Sequence, residues 1–205
     1  MPAPISSAAK YSPSVARNRE PILRALAPYL PRSGLVLEIA AGSGEHAVFN
    51  AAALPHLEWL PTDADRDALA SIEAWRESAK LPNLRNAVRL DASAPDTWPI
   101  DRADAVISIN MIHIAPWSAT EGLLEGATRV LKPGSVLFLY GPYFEPDVPT
   151  AQSNLDFDES LRRRNAEWGI RNLDDVTALA SSRNLTLAKR IAMPANNLSL
   201  VFRKA

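Results

Sequence analysis

Apolar positions recur along this chain with two alternating periods. Short apolar runs at Leu35 to Ala40, Leu57 to Thr62, Asn86 to Leu90, Ala103 to Asn110 and Ser135 to Tyr140 predict strands. Between them, Glu45 to Leu54, Asp65 to Ala79 and Ala119 to Leu131 space their apolar residues as helices do. This alternation predicts a parallel sheet covered by helices on both faces. Upstream, Val15, Ile22, Leu23, Leu26 and Leu30 predict an amphipathic helix over 14–30. A kink or break is expected at Pro21, because proline lacks the N–H that a helix interior uses.

Beyond Tyr140 the pattern changes. Gly141 to Ser153 is polar and irregular, and Asn154 to Glu167 and Leu173 to Ser182 predict helices. Leu185 to Ile191 and Leu198 to Arg203 predict two strands that pair as a hairpin. Residues 141–172 therefore read as an insertion on the side where a substrate would enter. A length of 205 residues suits one sizeable core and is short for two, so 1–205 is expected to form a single domain.

Composition narrows the class. With 47% hydrophobic and 22% charged residues and a formal net charge of -1, the chain has no global attraction to nucleic acid or anionic lipid. The absence of cysteine removes disulfides, thiolate zinc sites and cysteine nucleophiles together. Three histidines, His46, His56 and His113, have no helical partner at ligand spacing, so no metal is expected. Met1 to Ala9 lacks the basic end and apolar core of a secretory leader, and the apolar stretch Val130 to Phe144 is broken by Lys132-Pro133-Gly134 and Gly141-Pro142. A cytoplasmic protein with no membrane or nucleic-acid partner is the expectation.

The chemistry concentrates in Val36-Leu37-Glu38-Ile39-Ala40-Ala41-Gly42-Ser43-Gly44-Glu45, an apolar run that breaks into a small-residue turn and then a helix. Open α/β sheets bind ligands at such turns, where small residues allow close approach and helix amides face the ligand. Gly42-Ser43-Gly44-Glu45-His46-Ala47 satisfies the G-x-G-x-x-A form of a dinucleotide fingerprint, with Asp63 one βα unit later; a nicotinamide-dependent oxidoreductase is one reading. Glu38 favours another. A buried, unpaired carboxylate costs several kcal/mol, so it calls for a cation such as the ammonium of S-adenosylmethionine, whereas a pyrophosphate would be repelled. Alternatively, Glu38 caps amides of its own turn. Asp63 and Ala64 after the second strand suit ribose hydroxyls, and Asp91-Ala92 after the third suits an adenine amino group.

These residues resemble the class I S-adenosylmethionine-dependent methyltransferases in Glu38-x-Ala40-x-Gly42-x-Gly44, Asp63, Asp91-Ala92, Asp104-Ala105-Val106-Ile107-Ser108 and Arg129-Val130-Leu131-Lys132-Pro133-Gly134-Ser135. Ala40 stands where that class usually has its first glycine, a substitution tolerable at negative φ. Further motifs are similar to those of the methyltransferase-like domain-of-unknown-function family 938. They are Ser12-Pro13, Arg17-Asn18-x-Glu20-Pro21-Ile22, Gly141-Pro142-Tyr143, Ser153-Asn154-x-x-Phe157-Asp158-x-x-Leu161-Arg162, Trp168-Gly169-Ile170-Arg171 and Met193-Pro194-Ala195-Asn196-Asn197-Leu198. The likeness covers nearly the whole chain, and in that family Ala40 is a shared trait. After Tyr143 this chain departs, with Pro146, Asp147, Pro149 and Thr150-Ala151-Gln152 where the family has a glycine and a threonine-serine pair.

The resemblance implies a three-layer αβα Rossmann-like fold, with a mostly parallel seven-stranded sheet ending in an antiparallel hairpin. It further implies S-adenosyl-L-methionine as cofactor and S-adenosyl-L-homocysteine as product. Glu38, Ala40, Gly42, Ser43, Gly44, Asp63, Ala64, Asp91, Ala92 and backbone near Asn110 and Met111 would hold the cofactor. The acceptor would be a small polar molecule. Its pocket would draw on Arg17, Asn18, Tyr143, Asn154, Arg162, Trp168, Arg171, Asn196 and Asn197, with Arg171 pairing an acidic group. His113, at the tip of the fourth strand, is either the general base or a histidine packed beside the sheet. A non-catalytic protein that keeps the fold and the cofactor is the remaining reading.

Overall fold

The computed structural model describes residues 6–205; residues 1–5, part of the stretch Met1 to Ala9 considered above, lie outside them. Five parallel strands form the core: β1 (Gly34–Ile39), β2 (Leu57–Asp63), β3 (Val88–Arg89), β4 (Ala103–Ile109) and β5 (Leu131–Gly141). Two small strands follow, β6 (Tyr143–Phe144) and β7 (Arg171–Asn172), then the hairpin β8 (Leu185–Met193) and β9 (Asn197–Lys204). The seven-stranded sheet has the order β3-β2-β1-β4-β5-β9-β8, with β9 antiparallel to both its neighbours. The fold is a three-layer αβα Rossmann-like architecture.

Helices α1 (Pro13–Leu26), α2 (Glu45–Ala53), α3 (Arg66–Ala79), α4 (Trp117–Val130), α5 (Gln152–Arg164) and α6 (Leu173–Ser182) complete the chain. Side chains alternate across a strand, so each strand feeds two cores. Val36, Trp59, Ile107 and Phe138 pack with Ile22 and Leu26 of α1 and Ala47 and Ala51 of α2. Leu37, Val106, Leu137 and Phe202 face the other way, onto Leu123 and Ala127 of α4 and Val176 of α6. Strand order reverses between β1 and β4, and the crevice above their carboxyl ends is where an open α/β sheet places its ligand.

The structure corrects several expected boundaries. Helix α1 runs through Pro21 without a break and ends at Leu26 in a short 3-10 turn. The carbonyl that Pro21 leaves without its helical donor belongs to exposed Arg17, a position open to solvent. Strand β3 keeps only two of its expected residues, because the chain before it pairs with β2 through single contacts around Trp59 and Leu84. The stretch after Gly141 is not wholly irregular: Tyr143 and Phe144 pair in parallel with Arg171 and Asn172. Such a distant two-residue pairing leaves no periodicity to read. Helix α5 starts at Gln152 and stops at Arg164. No helix among the described residues is long and apolar enough to cross a membrane.

Candidate functional site

The turn after β1 is wound by three residues with positive φ: Ala40 (57°), Gly42 (59°) and Gly44 (90°). Gly44 has to be glycine for packing as well as backbone reasons, since a Cβ there would stand 2.7 Å from the Ile72 Cα of α3. Around Gly42 the same test finds open space, so this part of the loop presents bare backbone. Ala40 does not have the negative φ at which its methyl would be free of strain, and an alanine held in the left-handed region costs about 1 kcal/mol. The loop is also tied from outside. Ser43 Oγ and the Ser12 amide both donate to Glu45 Oε2, at 3.0 and 2.7 Å, and Ser71 Oγ donates to the Ser43 carbonyl at 2.7 Å.

Glu38 lies two residues before this turn with 1% of its surface exposed. Its carboxyl accepts a 2.6 Å hydrogen bond from Trp59 Nε1, and neither an ion pair nor a cap of its own turn engages it among the described residues. Burial raises its pKa from 4.5 to about 7; the Trp59 bond opposes the rise and the Asp63 charge adds to it. A carboxyl poised near neutrality without a cation is an incomplete arrangement: an ammonium beside it would draw it to the charged form.

Six of the nominated residues meet. Ala40, Asp63, Ala64, Asp91, Ala92 and Met111 line one cavity of about 300 Å³ above the carboxyl ends of the strands. Asp63 is oriented by backbone: its Oδ2 accepts from the Gly42 amide and its Oδ1 from the Asp65 amide, each at 3.0 Å. Asp91 turns one oxygen toward Ser93, whose amide and hydroxyl donate to it at 2.9 and 2.7 Å. Glu38, Gly42, Ser43, Gly44 and Asn110 stand outside the lining of this cavity.

Asn110, in the left-handed region at φ 62°, turns the chain out of β4 into a 3-10 turn over Met111–His113. This turn is a partition. Met111 and Ala115 face the first cavity, while Asn110 and Ile114 face a second, of about 510 Å³. The second cavity also gathers Arg17 and Asn18 from α1, Tyr140 from β5, Asn154 from α5 and Asn197 from β9. Four of the nine residues nominated for substrate are therefore brought together. Tyr140 and Ile114 were not nominated, although the strand-end position of Tyr140 is a feature the sequence displays.

The other nominated residues stand elsewhere. Tyr143 and Asn196 border a smaller compartment of about 200 Å³ that shares Asn154 and Asn197 with the second cavity and contains the bidentate Arg190–Glu145 pair, both bonds at 2.7 Å. Arg162 pairs with Asp158 at 2.7 Å, and Trp168 lies under the Arg164 guanidinium. The Arg171 guanidinium donates to the carbonyls of Ile112, Ala115 and Glu167 at 2.9, 2.7 and 2.9 Å and stacks over Trp117. It clamps the partition turn. His113 is wholly buried, edge-on to the Tyr143 ring at 5.0 Å and pressed against Gly141, and it lines none of these three cavities. Burial, with the Arg171 charge, lowers its pKa to about 3, so the imidazole is neutral.

Several solved structures that share this architecture are methyltransferases. The structure of an O-methyltransferase family protein from Burkholderia thailandensis superposes with a TM-score of 0.80 over 94% of this chain and 57% of its own, at 13% identity. CalO1, a methyltransferase in calicheamicin biosynthesis solved in its SAH-bound form, gives 0.76 over 94% of this chain and 54% of its own, at 15% identity. In sequence, the chondramide synthase cmdD of Chondromyces crocatus is 27% identical over 152 residues, which is 69% of this chain and 4% of the synthase. The chain thus spans a little over half the length of these structural neighbours and a small part of the synthase. The family model for the proteins of unknown function DUF938 matches residues 9–204, and the chain belongs to that family.

Proposed function

We propose that this protein is an S-adenosylmethionine-dependent methyltransferase acting on a small polar molecule. The observation that carries the reading is the meeting of Asp63, Ala64, Asp91 and Ala92 in one cavity at the reversal of strand order, beside a buried Glu38 that lacks a cation. Asp63 would accept the ribose hydroxyls and the Asp91 edge the adenine amino group, while Glu38 would take the ammonium of the aminoacyl end. The exposed backbone at Gly42 would let that end approach closely. The SAH-bound form of CalO1, which shares the architecture, supports the same choice.

Bound there, the cofactor supplies an electrophilic methyl group on a sulfonium. The chain's own task is alignment and exclusion of water. The turn over 110–115 lies between the two cavities, and Arg171 holds it by two of its carbonyls, those of Ile112 and Ala115, so that cofactor and acceptor would meet at its edge. A nicotinamide dinucleotide would bring its pyrophosphate toward Glu38 and gains no support from this geometry.

The reading is tested by isothermal titration with S-adenosylhomocysteine. Micromolar binding in the wild type and a loss of about tenfold or more in Asp63→Asn support it, as expected for a carboxylate replaced at a charge-assisted hydrogen bond. Absence of heat across several conditions and buffers overturns it.

A further inference from the structure

We propose that the methyl acceptor is a carboxylate, held by Arg17, and that the reaction forms a methyl ester without a protein base. This rests on the cofactor reading above and concerns the second cavity alone.

Among the described residues, the lining of that cavity contains no Asp, Glu, His or Lys. Its charged residue is Arg17, exposed on α1, and no carboxylate, carbonyl or aromatic ring engages the guanidinium among the described residues. On the same helix Arg19 lies over Phe49 and Arg24 pairs with Glu20, and Arg190 of the adjoining compartment pairs with Glu145. Asn18, Asn110, Asn154 and Asn197 add neutral donors and acceptors around it. An unpaired guanidinium in a cavity without acids attracts an anion, and its planar fork matches a carboxylate.

The groups that could accept a proton lie elsewhere or are in the wrong state. His113 is buried within the partition turn, and Asp63 and Asp91 line the other cavity. Tyr140 is the titratable group besides Arg17, and burial, partly offset by an Asn18 hydrogen bond, raises its pKa, leaving a neutral phenol that donates. An alcohol or phenol would need its proton removed, and an ammonium would be repelled by Arg17. A carboxylate arrives ionised at neutral pH. One of its oxygens gives an electron pair to the methyl carbon, the carbon–sulfur bond breaks with its pair passing to sulfur, and the products are a methyl ester and a thioether. No proton is left over, so the missing base is not a defect.

The experiment uses the whole chain, tritiated S-adenosylmethionine and a cell extract of molecules below about 1 kDa, separated by anion exchange. Carboxyl methyl esters release volatile labelled methanol in alkali, whereas methyl ethers, thioethers and methylamines do not. Alkali-labile label confined to the anionic fractions is the expected result. In Arg17→Ala that transfer falls about tenfold or more, Arg17→Lys recovers part of it, and the S-adenosylhomocysteine affinity by calorimetry stays within about twofold in both. Alkali-stable label, or no label from any anionic fraction in a protein that binds S-adenosylhomocysteine, overturns the proposal. So does an Arg17→Ala variant that loses S-adenosylhomocysteine affinity to the same extent, since Arg17 would then serve the cofactor. A protein that does not bind S-adenosylhomocysteine at all fails at the earlier reading instead.

Discussion

Replacing Glu38 by glutamine should make this protein more stable above neutral pH, although the residue lies buried just before the turn that opens the site. Its folded pKa of about 7 exceeds the ordinary 4.5, so folding favours the protonated form. The contribution of this carboxyl is therefore fully present below pH 4.5 and is lost as pH rises through 7. The gap between 4.5 and about 7 corresponds to about 3 kcal/mol at roughly 1.4 kcal/mol per pH unit. Glu38→Gln keeps an acceptor for Trp59 Nε1 and cannot ionise, so it escapes that loss. Urea unfolding followed by tryptophan fluorescence at pH 5, 6, 7 and 8 measures both proteins. The comparison must be a difference, because His113 and His46, whose pKa values burial lowers to about 3 and about 4, lose stability in the opposite direction as pH falls below 6.5. They titrate alike in both proteins and cancel. The variant should gain on the wild type from pH 5 to about pH 7 and level off toward pH 8, by up to about 3 kcal/mol in all. A stability difference that does not change with pH would refute the assignment of Glu38 as a buried carboxyl poised near neutrality. If a cofactor ammonium lies beside it, wild-type affinity for S-adenosylhomocysteine should also rise with pH toward 7, and that slope should vanish in the variant.

Three further substitutions test the site's construction. Gly44→Ala, which drives a Cβ into Ile72 of α3, should destabilise by about 3 kcal/mol in urea unfolding, whereas Gly42→Ala, facing open space, should cost only about 1 kcal/mol for its φ and show its larger effect on S-adenosylhomocysteine affinity. Ala40→Gly should stabilise by about 0.5–1 kcal/mol, since it relieves a left-handed alanine; a loss of that size would place the worth of Ala40 in its methyl contacts. Arg171→Ala should lower stability by about 2 kcal/mol, because a charged donor is withdrawn from three carbonyls, and Arg171→Lys should not restore it, a single ammonium being unable to span the three.

The elements were legible where their signal is local. Strands β1, β2, β4 and β5 and helices α2 to α4 follow from apolar period and turn residues, and the acids after β2 and β3 were recognisable because they end strands. Strands β6 and β7 were not, since each is two residues long and its partner lies far along the chain. The helix continues through Pro21 rather than breaking there, because the bond that proline removes falls on an exposed turn. At the site, residue types alone nominated Arg171 as the partner of an acid. The structure spends its guanidinium on backbone carbonyls, one of them 59 residues away, and leaves Arg17 at the cavity in its place.

By itself, then, the sequence determined the alternation of strands and helices, the small-residue turn after β1 and the order of strand-end acids, all of which are properties of neighbouring residues. Only the tertiary structure decided which acids share a cavity, that Glu38 is buried against Trp59 with no cation, that Ala40 bends the wrong way for an alanine, and that His113 is sealed behind Gly141 and Tyr143. Those outcomes depend on burial and on partners that chain folding brings from other elements, and burial is what sets the charge a side chain can carry.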